Sequence, residues 1–198
     1  MRKLIVSMNV SLDGFMSGPN CELDWHFNAW NEEMAQEAAE QLSRADTIIL
    51  GRITYRAMAS YWPMRSVSLL CAREDIVFAD MMNTHTKVVF SKTLRSAEWN
   101  NTRLVKRDIA KEITRLKHQQ GKDMIIYGSG KIVSALIYLD LVDEYQVWVH
   151  PVVLGKGKPL FPELQQSIKM KLFNTRTFSS GVVMLSYAAN GKYLDVNR

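Results

Sequence analysis

Two rhythms of apolar and polar positions alternate along the chain, and the changes between them fall at short polar turns. Residues 4–10 form an apolar run that reads as a strand. The turn Ser11-Leu12-Asp13-Gly14 closes it, and a glycine-containing polar loop follows to about residue 22. Asn31 followed by Glu32 and Glu33 marks a helix start, with a capping side chain and acids in the first turn. Met34, Ala35, Ala38, Ala39 and Leu42 then share one face. Residues 46–50 predict a second buried strand that opens into a helix at Gly51-Arg52-Ile53-Thr54-Tyr55, with a stop expected near Trp62-Pro63. Residues 66–82 read as a helical segment with few boundary signals, 87–90 as a third strand running into Ser91-Lys92-Thr93, and 103–105 as a short strand. Asp108 caps a helix with Ile109, Ile113 and Leu116 inward, Lys111, Arg115, Lys117 and His118 outward, and Gly121 at its close.

The run Met124-Ile125-Ile126-Tyr127 is the one around which the rest is arranged. It reads as a strand buried on both faces. Gly128-Ser129-Gly130 breaks it, and Ile132, Val133, Leu136 and Ile137 mark the inner stripe of a helix. A strand that enters a helix through Gly-x-Gly leaves backbone N–H groups at a positive helix end, which suits a phosphate. By itself the motif is weak. Val133 stands where a dinucleotide fingerprint has its third glycine, no acidic residue follows at the expected distance, and the spacing of a Walker loop is absent. A tight turn that merely packs a helix on a sheet explains it as well.

Residues 144–149 alternate as a strand stopped at His150-Pro151, and an apolar loop follows to Phe161. Residues 169–178 and 182–187 predict an antiparallel hairpin turning at Ser179-Ser180-Gly181, before a polar, frayed tail from Asn190. Alternating strands and helices first, antiparallel strands last, predict one α/β domain over residues 1–198, with a mostly parallel sheet and helices on both faces. In such a sheet the three polar turns, Gly51-Arg52-Ile53-Thr54, Ser91-Lys92-Thr93 and Gly128-Ser129-Gly130-Lys131, lie along one carboxyl edge, where ligands bind. Two helix N-termini suit a diphosphate. Arg52, Lys92 and Thr93 suit a further phosphate on the adenosine ribose, so NADP is favoured over NAD.

The totals narrow the function without naming it. The 198 residues are ample for a proper core, and hydrophobic and charged fractions of 47% and 23% are ordinary for a soluble globular protein. Cys21 and Cys71 are too few for a disulfide framework, and neither a signal peptide nor a membrane-spanning window is visible. A cytoplasmic protein without a membrane partner is expected. The net charge of +5 suits a phosphate-bearing cofactor. The basic face of the helix after Asp108 is read as solvated rather than nucleic-acid-binding, because no aromatic residues interleave to stack bases.

In this set of motifs the chain resembles the dihydrofolate reductase-like superfamily. Within it, the chain is most similar to the branch of the C-terminal reductase domain of riboflavin biosynthesis enzymes. The resemblance covers nearly the whole chain. It rests on the first strand into Ser11-Leu12-Asp13-Gly14, on Gly51-Arg52-x-Thr54-Tyr55, on Ser91-Lys92-Thr93, on Gly128-Ser129-Gly130, and on Pro151-Val152-Val153-Leu154-Gly155-x-Gly157 with Pro159-Leu160-Phe161. It implies a three-layer fold, NADPH on the carboxyl edge, hydride transfer to a small heterocycle, and often a homodimer. It also implies that Gly51, Arg52, Thr54, Ser91, Lys92 and Thr93 meet the adenosine and diphosphate side. Gly128, Ser129, Gly130, Lys131 and Ile132 would cradle the diphosphate, and Val10 and Leu12 would lie near the nicotinamide.

Two departures qualify what is carried over. Trp30 stands about where folate reductases place their pterin-binding carboxylate, which disfavours folate, and the family's Gly-Gly turn reads Gly128-Ser129. Asp24 is the candidate proton donor, on the expectation that burial among Trp25, Phe27 and Trp30 raises its pKa; an exposed aspartate approaching a helix is the competing reading. Trp25, Trp30 and Tyr55 are candidate walls of a planar substrate pocket, or plain core. Trp148 and the loop to Phe161 suit either a dimer interface or the core. His26, His85, His118 and His150 lack metal-ligand spacing, so no metal is expected. The expectation is an NADPH-dependent reductase of a pterin- or pyrimidine-like small molecule. The alternatives are a riboflavin-pathway 5-amino-6-(5-phosphoribosylamino)uracil reductase and a non-catalytic NADPH-binding module.

Overall fold

A computed structural model describes residues 1–65, 73–161 and 167–189. The chain runs β1 (Leu4–Ser11), β2 (Phe15–Ser17), α1 (Asp24–Phe27), α2 (Glu32–Ser43), β3 (Ala45–Gly51), α3 (Arg52–Arg65), α4 (Arg73–Thr84) and β4 (Thr86–Phe90). It continues β5 (Thr102–Val105), α5 (Ile109–Lys117), β6 (Asp123–Tyr127), α6 (Gly130–Tyr138), β7 (Glu144–His150), β8 (Lys158–Pro159), β9 (Met170–Thr177) and β10 (Val183–Ala189). Eight strands form one sheet in the order β5-β4-β3-β6-β1-β7-β10-β9. The first six are parallel, and β10 is antiparallel to both of its neighbours. The architecture is the α/β, mostly parallel sheet with an antiparallel C-terminal hairpin that the rhythm of the sequence predicts.

Strand alternation sorts the core between two faces. Val6, Val10, Ile49, Met124 and Ile126 pack with Ile113 and Leu116 of α5 and with Val133 and Leu136 of α6. On the other face Ile48, Leu50 and Ile125 pack with Leu42 of α2, Tyr55 of α3 and Met82 of α4. Farther along that second face, Met34 and Ala38 of α2 meet Trp148, Phe178, Val182 and Met184. Trp148 is therefore core, which resolves the choice that the sequence left open. The predicted caps form: Asn31 accepts from the N–H of Met34, and Asp108 from that of Lys111.

Several expectations shift. The helix after Gly51 continues through Trp62-Pro63 to Arg65, since a proline in the last turn removes a single bond from a nearly finished helix. Lys117 points inward rather than outward: it lies four residues after Ile113 on the same helical face, is buried, and pairs with Asp143. The helix ends before Gly121, with His118 as its cap. Parts of two segments read as loops pair as the short antiparallel ribbon β2–β8. The predicted helical segment lies partly in residues 66–72, outside the described residues, as does the tail from Asn190.

Strand β4 also buries a cation. Lys87 is fully inaccessible, and its ammonium donates to the carbonyls of Met82 and Asn83 at 3.0 and 2.8 Å while lying 4.5 Å from the centre of the Trp99 ring. Burial pushes its pKa down to about 8 from the ordinary 10.5. The unfolded chain then holds this proton more tightly, so this group's contribution to stability rises as pH increases from about 8 to 10.5. The expected gain is at most about 3 kcal/mol. It should disappear in Lys87→Met when urea unfolding is compared across that window.

Candidate active site

The register of the parallel strands brings the three polar turns to one level. Gly51 lies opposite Phe90, and Ile49 lies opposite Ile126. The turns after β3, β4 and β6 therefore open side by side on the carboxyl edge, and α3 and α6 start at two of them. Gly128 and Ser129 both adopt left-handed backbone, with φ of 57° and 60°. Glycine accepts this freely, and the serine is held there by bonds. Its N–H donates to Thr54 Oγ1 at 3.0 Å, and its Oγ accepts from the N–H of Gly51 at 2.8 Å. Its carbonyl accepts from Ile132 and Val133 at 2.7 and 3.1 Å. None of these bonds uses the N–H groups of Gly130 and Lys131, which belong to the first turn of α6. A Cβ on Gly128 would come to 3.2 Å from Thr54 Cγ2, so the two turns touch.

Of the residues expected to meet a cofactor, the structure brings Gly51, Arg52, Thr54, Ser91, Lys92, Thr93, Gly128, Ser129, Gly130, Lys131 and Ile132 to this edge. Lys92, Thr93 and Lys131 are exposed, and the others are half-buried. Thr54 and Ser129 hold the turns to each other, and Ile132 packs beside Gly51. Ser91 Oγ accepts from the N–H groups of Thr93 and Leu94 at 3.2 and 3.0 Å, which leaves its hydroxyl hydrogen to donate. The three turns contain Arg52, Lys92 and Lys131 and no acidic residue. This donor set fits a polyanion such as a dinucleotide diphosphate. Val10 is buried in the core, whereas Leu12 is exposed and its N–H donates to the Val152 carbonyl at 2.7 Å. The end of the Met16 side chain, from β2, sits against Gly130.

Beyond Tyr127, the last β6 residue paired with it, β1 continues along β7, pairing Asn9 with Trp148 and Ser11 with His150. His150 is buried, and its Nε2 lies 2.9 Å from Asn9 Oδ1. Trp25 stands edge-on to it at 5.3 Å between ring centres, and His26 at 5.9 Å. Trp30 lies 6.1 Å from the Trp148 ring. Trp25 and Trp30 thus reach the same end of β7. Tyr55 does not join them: it is buried near Trp99, and its hydroxyl accepts from the Trp99 N–H at 3.1 Å. Asp24 is exposed at the head of α1, next to a Phe27 that is also exposed, so the expected burial among aromatic rings is not there. The neighbouring histidines, His26 and His150, are desolvated instead. Burial lowers both, His150 to about 4, with the neighbouring His26 adding to the effect.

The RibD C-terminal domain profile matches residues 2–184. The chain belongs to the RibD C-terminal domain family. This RibD-type chain is 36% identical over 190 residues to the uncharacterized protein YyaP of Bacillus subtilis, covering 96% of each chain. Its fold superposes on Acinetobacter baumannii RibD with a TM-score of 0.70 at 15% identity, covering 96% of this chain and 58% of that one. Dihydrofolate reductase from Enterococcus faecalis, complexed with NADP(H), matches with a TM-score of 0.60 at 15% identity, covering 95% and 96% of the two chains. Among the described residues of this RibD-type chain, no helix is long and apolar enough to cross a membrane, and no group of three His, Cys, Asp or Glu side chains is placed to hold a metal ion.

Asn9 and His150 form a buried polar pair that reading the sequence misses. A signal existed: Ser7, Asn9, Gln146 and His150 are polar positions on one face of two otherwise apolar strands. It becomes visible only when β1 and β7 are known to be neighbours.

Proposed function

We propose that the chain is an NADPH-dependent reductase of a small heterocyclic substrate of pterin or pyrimidine type. The observation that carries this reading is the trio of cation-bearing turns, braced by Thr54 and Ser129, on one carboxyl edge. NADPH held there would supply a hydride. The N–H groups of Gly130 and Lys131 would bind its diphosphate, and Arg52, Lys92 and Thr93 the additional phosphate that distinguishes it from NADH. Val10 and Leu12 would flank the redox ring, and Trp25 and Trp30 would exclude water on the α1 side. Membership of the RibD C-terminal domain family supports the reading, as does the shared fold with a reductase complexed with NADP(H). The family match also favours a second reading, reduction of 5-amino-6-(5-phosphoribosylamino)uracil.

Titration of NADPH and NADH into the purified protein tests the cofactor assignment. NADPH is expected to bind more tightly than NADH by about tenfold or more, and Arg52→Ala is expected to erase the difference, a loss of about 1.4 kcal/mol or more. Absence of binding by either nucleotide would overturn the reading. NADPH oxidation with pterins or with the phosphoribosylaminouracil then separates the two substrates.

A further inference from the structure

We propose that the imidazole of His150, oriented by Asn9, and that of His26, both walled by Trp25, form the substrate-recognition site and take a planar, uncharged heterocycle through its N–H donors. The proposal rests on the reductase reading and specifies the substrate side of that site. His150 is 1% exposed, and its Nε2 faces Asn9 Oδ1. A carbonyl oxygen only accepts, so Nε2 carries the hydrogen and Nδ1 is left as a bare acceptor. Nδ1 of His150 and Nδ1 of His26 are both buried, and neither has a hydrogen-bond partner. Each such atom has given up its hydrogen bond to water without a replacement, which is a cost to folding. Packing does not require that cost, since phenylalanine would fill the same space without it. A ligand that donates an N–H to His150 Nδ1 and sets a complementary hydrogen-bonding atom at His26 Nδ1 leaves neither short of a partner.

The electrostatics define the ligand class. Desolvation holds both rings uncharged at neutral pH; at His26 the Leu23 carbonyl and the Asp24 carboxylate oppose this without reversing it. A phosphate or carboxylate finds no cation here. An amidinium finds no buried carboxylate, because Asp24 is exposed. An uncharged ring with an N–H donor satisfies the bare His150 nitrogen, and the Trp25 ring supplies an aromatic wall. The site is covered by α1, which carries Trp25 and His26 and has no buried residue among its four. The location also suits a substrate. β6, whose turn forms the phosphate cradle, and β7, which carries His150, flank β1 on either side. They stand roughly 10 Å apart at ordinary strand spacing.

Nitrogen-15 NMR of the histidine rings in the full chain tests this, with pterin and uracil as ring probes and inorganic phosphate as the anion control. In the free protein His150 should show a protonated Nε2 and a bare Nδ1 that stays unprotonated at pH 6. Pterin or uracil should move the Nδ1 resonances of His150 and His26, and phosphate should not. His150→Phe and His26→Phe should each weaken binding of the ring probe at least about tenfold, with NADPH titration unchanged. If neither probe moves either imidazole, if His150 carries its hydrogen on Nδ1, or if both variants bind the probe as the parent does, the proposal fails. Failure of NADPH to bind the parent protein would instead remove the reductase reading on which it rests.

Discussion

Trp148→Ala is expected to cost about 3–5 kcal/mol of folding stability, the usual range for emptying a buried aromatic site. The indole is 3% exposed and lies stacked on Phe178, with 5.2 Å between centres and 13° between planes. Its N–H donates to Ser7 Oγ at 3.1 Å, and that hydroxyl donates on to Gln41 of α2 at 3.1 Å. One side chain thus joins β7, β1, α2 and the turn before β10. Truncation leaves a cavity among them and takes from Ser7 Oγ the donor it accepts from. Thermal unfolding followed by circular dichroism should show a midpoint lower by roughly 10 °C, at 2–4 °C per kcal/mol for a chain of this size. Trp148→Phe keeps the stacking and loses the bond, so a drop of about 1 kcal/mol is expected. A cost below that for the alanine variant would mean that this end of the sheet is not a packed core. Asn9, paired with Trp148, and His150, two residues farther along β7, depend on it.

Thr54→Val should act on cofactor affinity more than on the fold. Its hydroxyl is the acceptor for the N–H of Ser129, a non-glycine residue held in left-handed backbone. Without that acceptor a part-buried N–H is left unpaired at a cost of about 1–3 kcal/mol. The turn can recover part of it by relaxing toward ordinary backbone. Relaxation turns the N–H groups of Gly130 and Lys131 away from their common direction. NADPH affinity is then expected to fall about 10–100-fold, or roughly 1.4–2.8 kcal/mol. Thr54→Ser, which restores the acceptor, should stay near the parent. Equal NADPH affinity in the valine variant would show that the turn holds its shape without the brace.

Much of this arrangement was legible in the sequence. The run Met124-Ile125-Ile126 reads as a strand buried on both faces, and the glycines after it mark its end. Asn31 and Asp108 announced two helices through their own side chains. These features are local: each depends on residues within one turn or one strand, where propensity and periodicity act directly. The errors were of another kind. The charge of Lys117 points outward while its helical phase points inward, and Asp143, which offsets its burial, is distant in sequence. Tyr55 was grouped with Trp25 and Trp30 because all three are aromatic, but its strand and helix carry it to the Trp99 side. Asp24 was expected to be buried because aromatic neighbours in sequence were taken as neighbours in space.

From the sequence alone follow the order of strands and helices, the parallel sheet with its antiparallel end, and the three polar turns that suit phosphates. Hydrophobic period and turn chemistry suffice for these. Only the tertiary structure decided which turns brace one another and which polar residues are shut away from water. Thr54 meets Ser129 because β3 and β6 are neighbours across 75 residues of chain. Asn9 meets His150 because β1 and β7 pair across 141. No local rule encodes such pairings; they follow from burying both faces of the whole sheet at once.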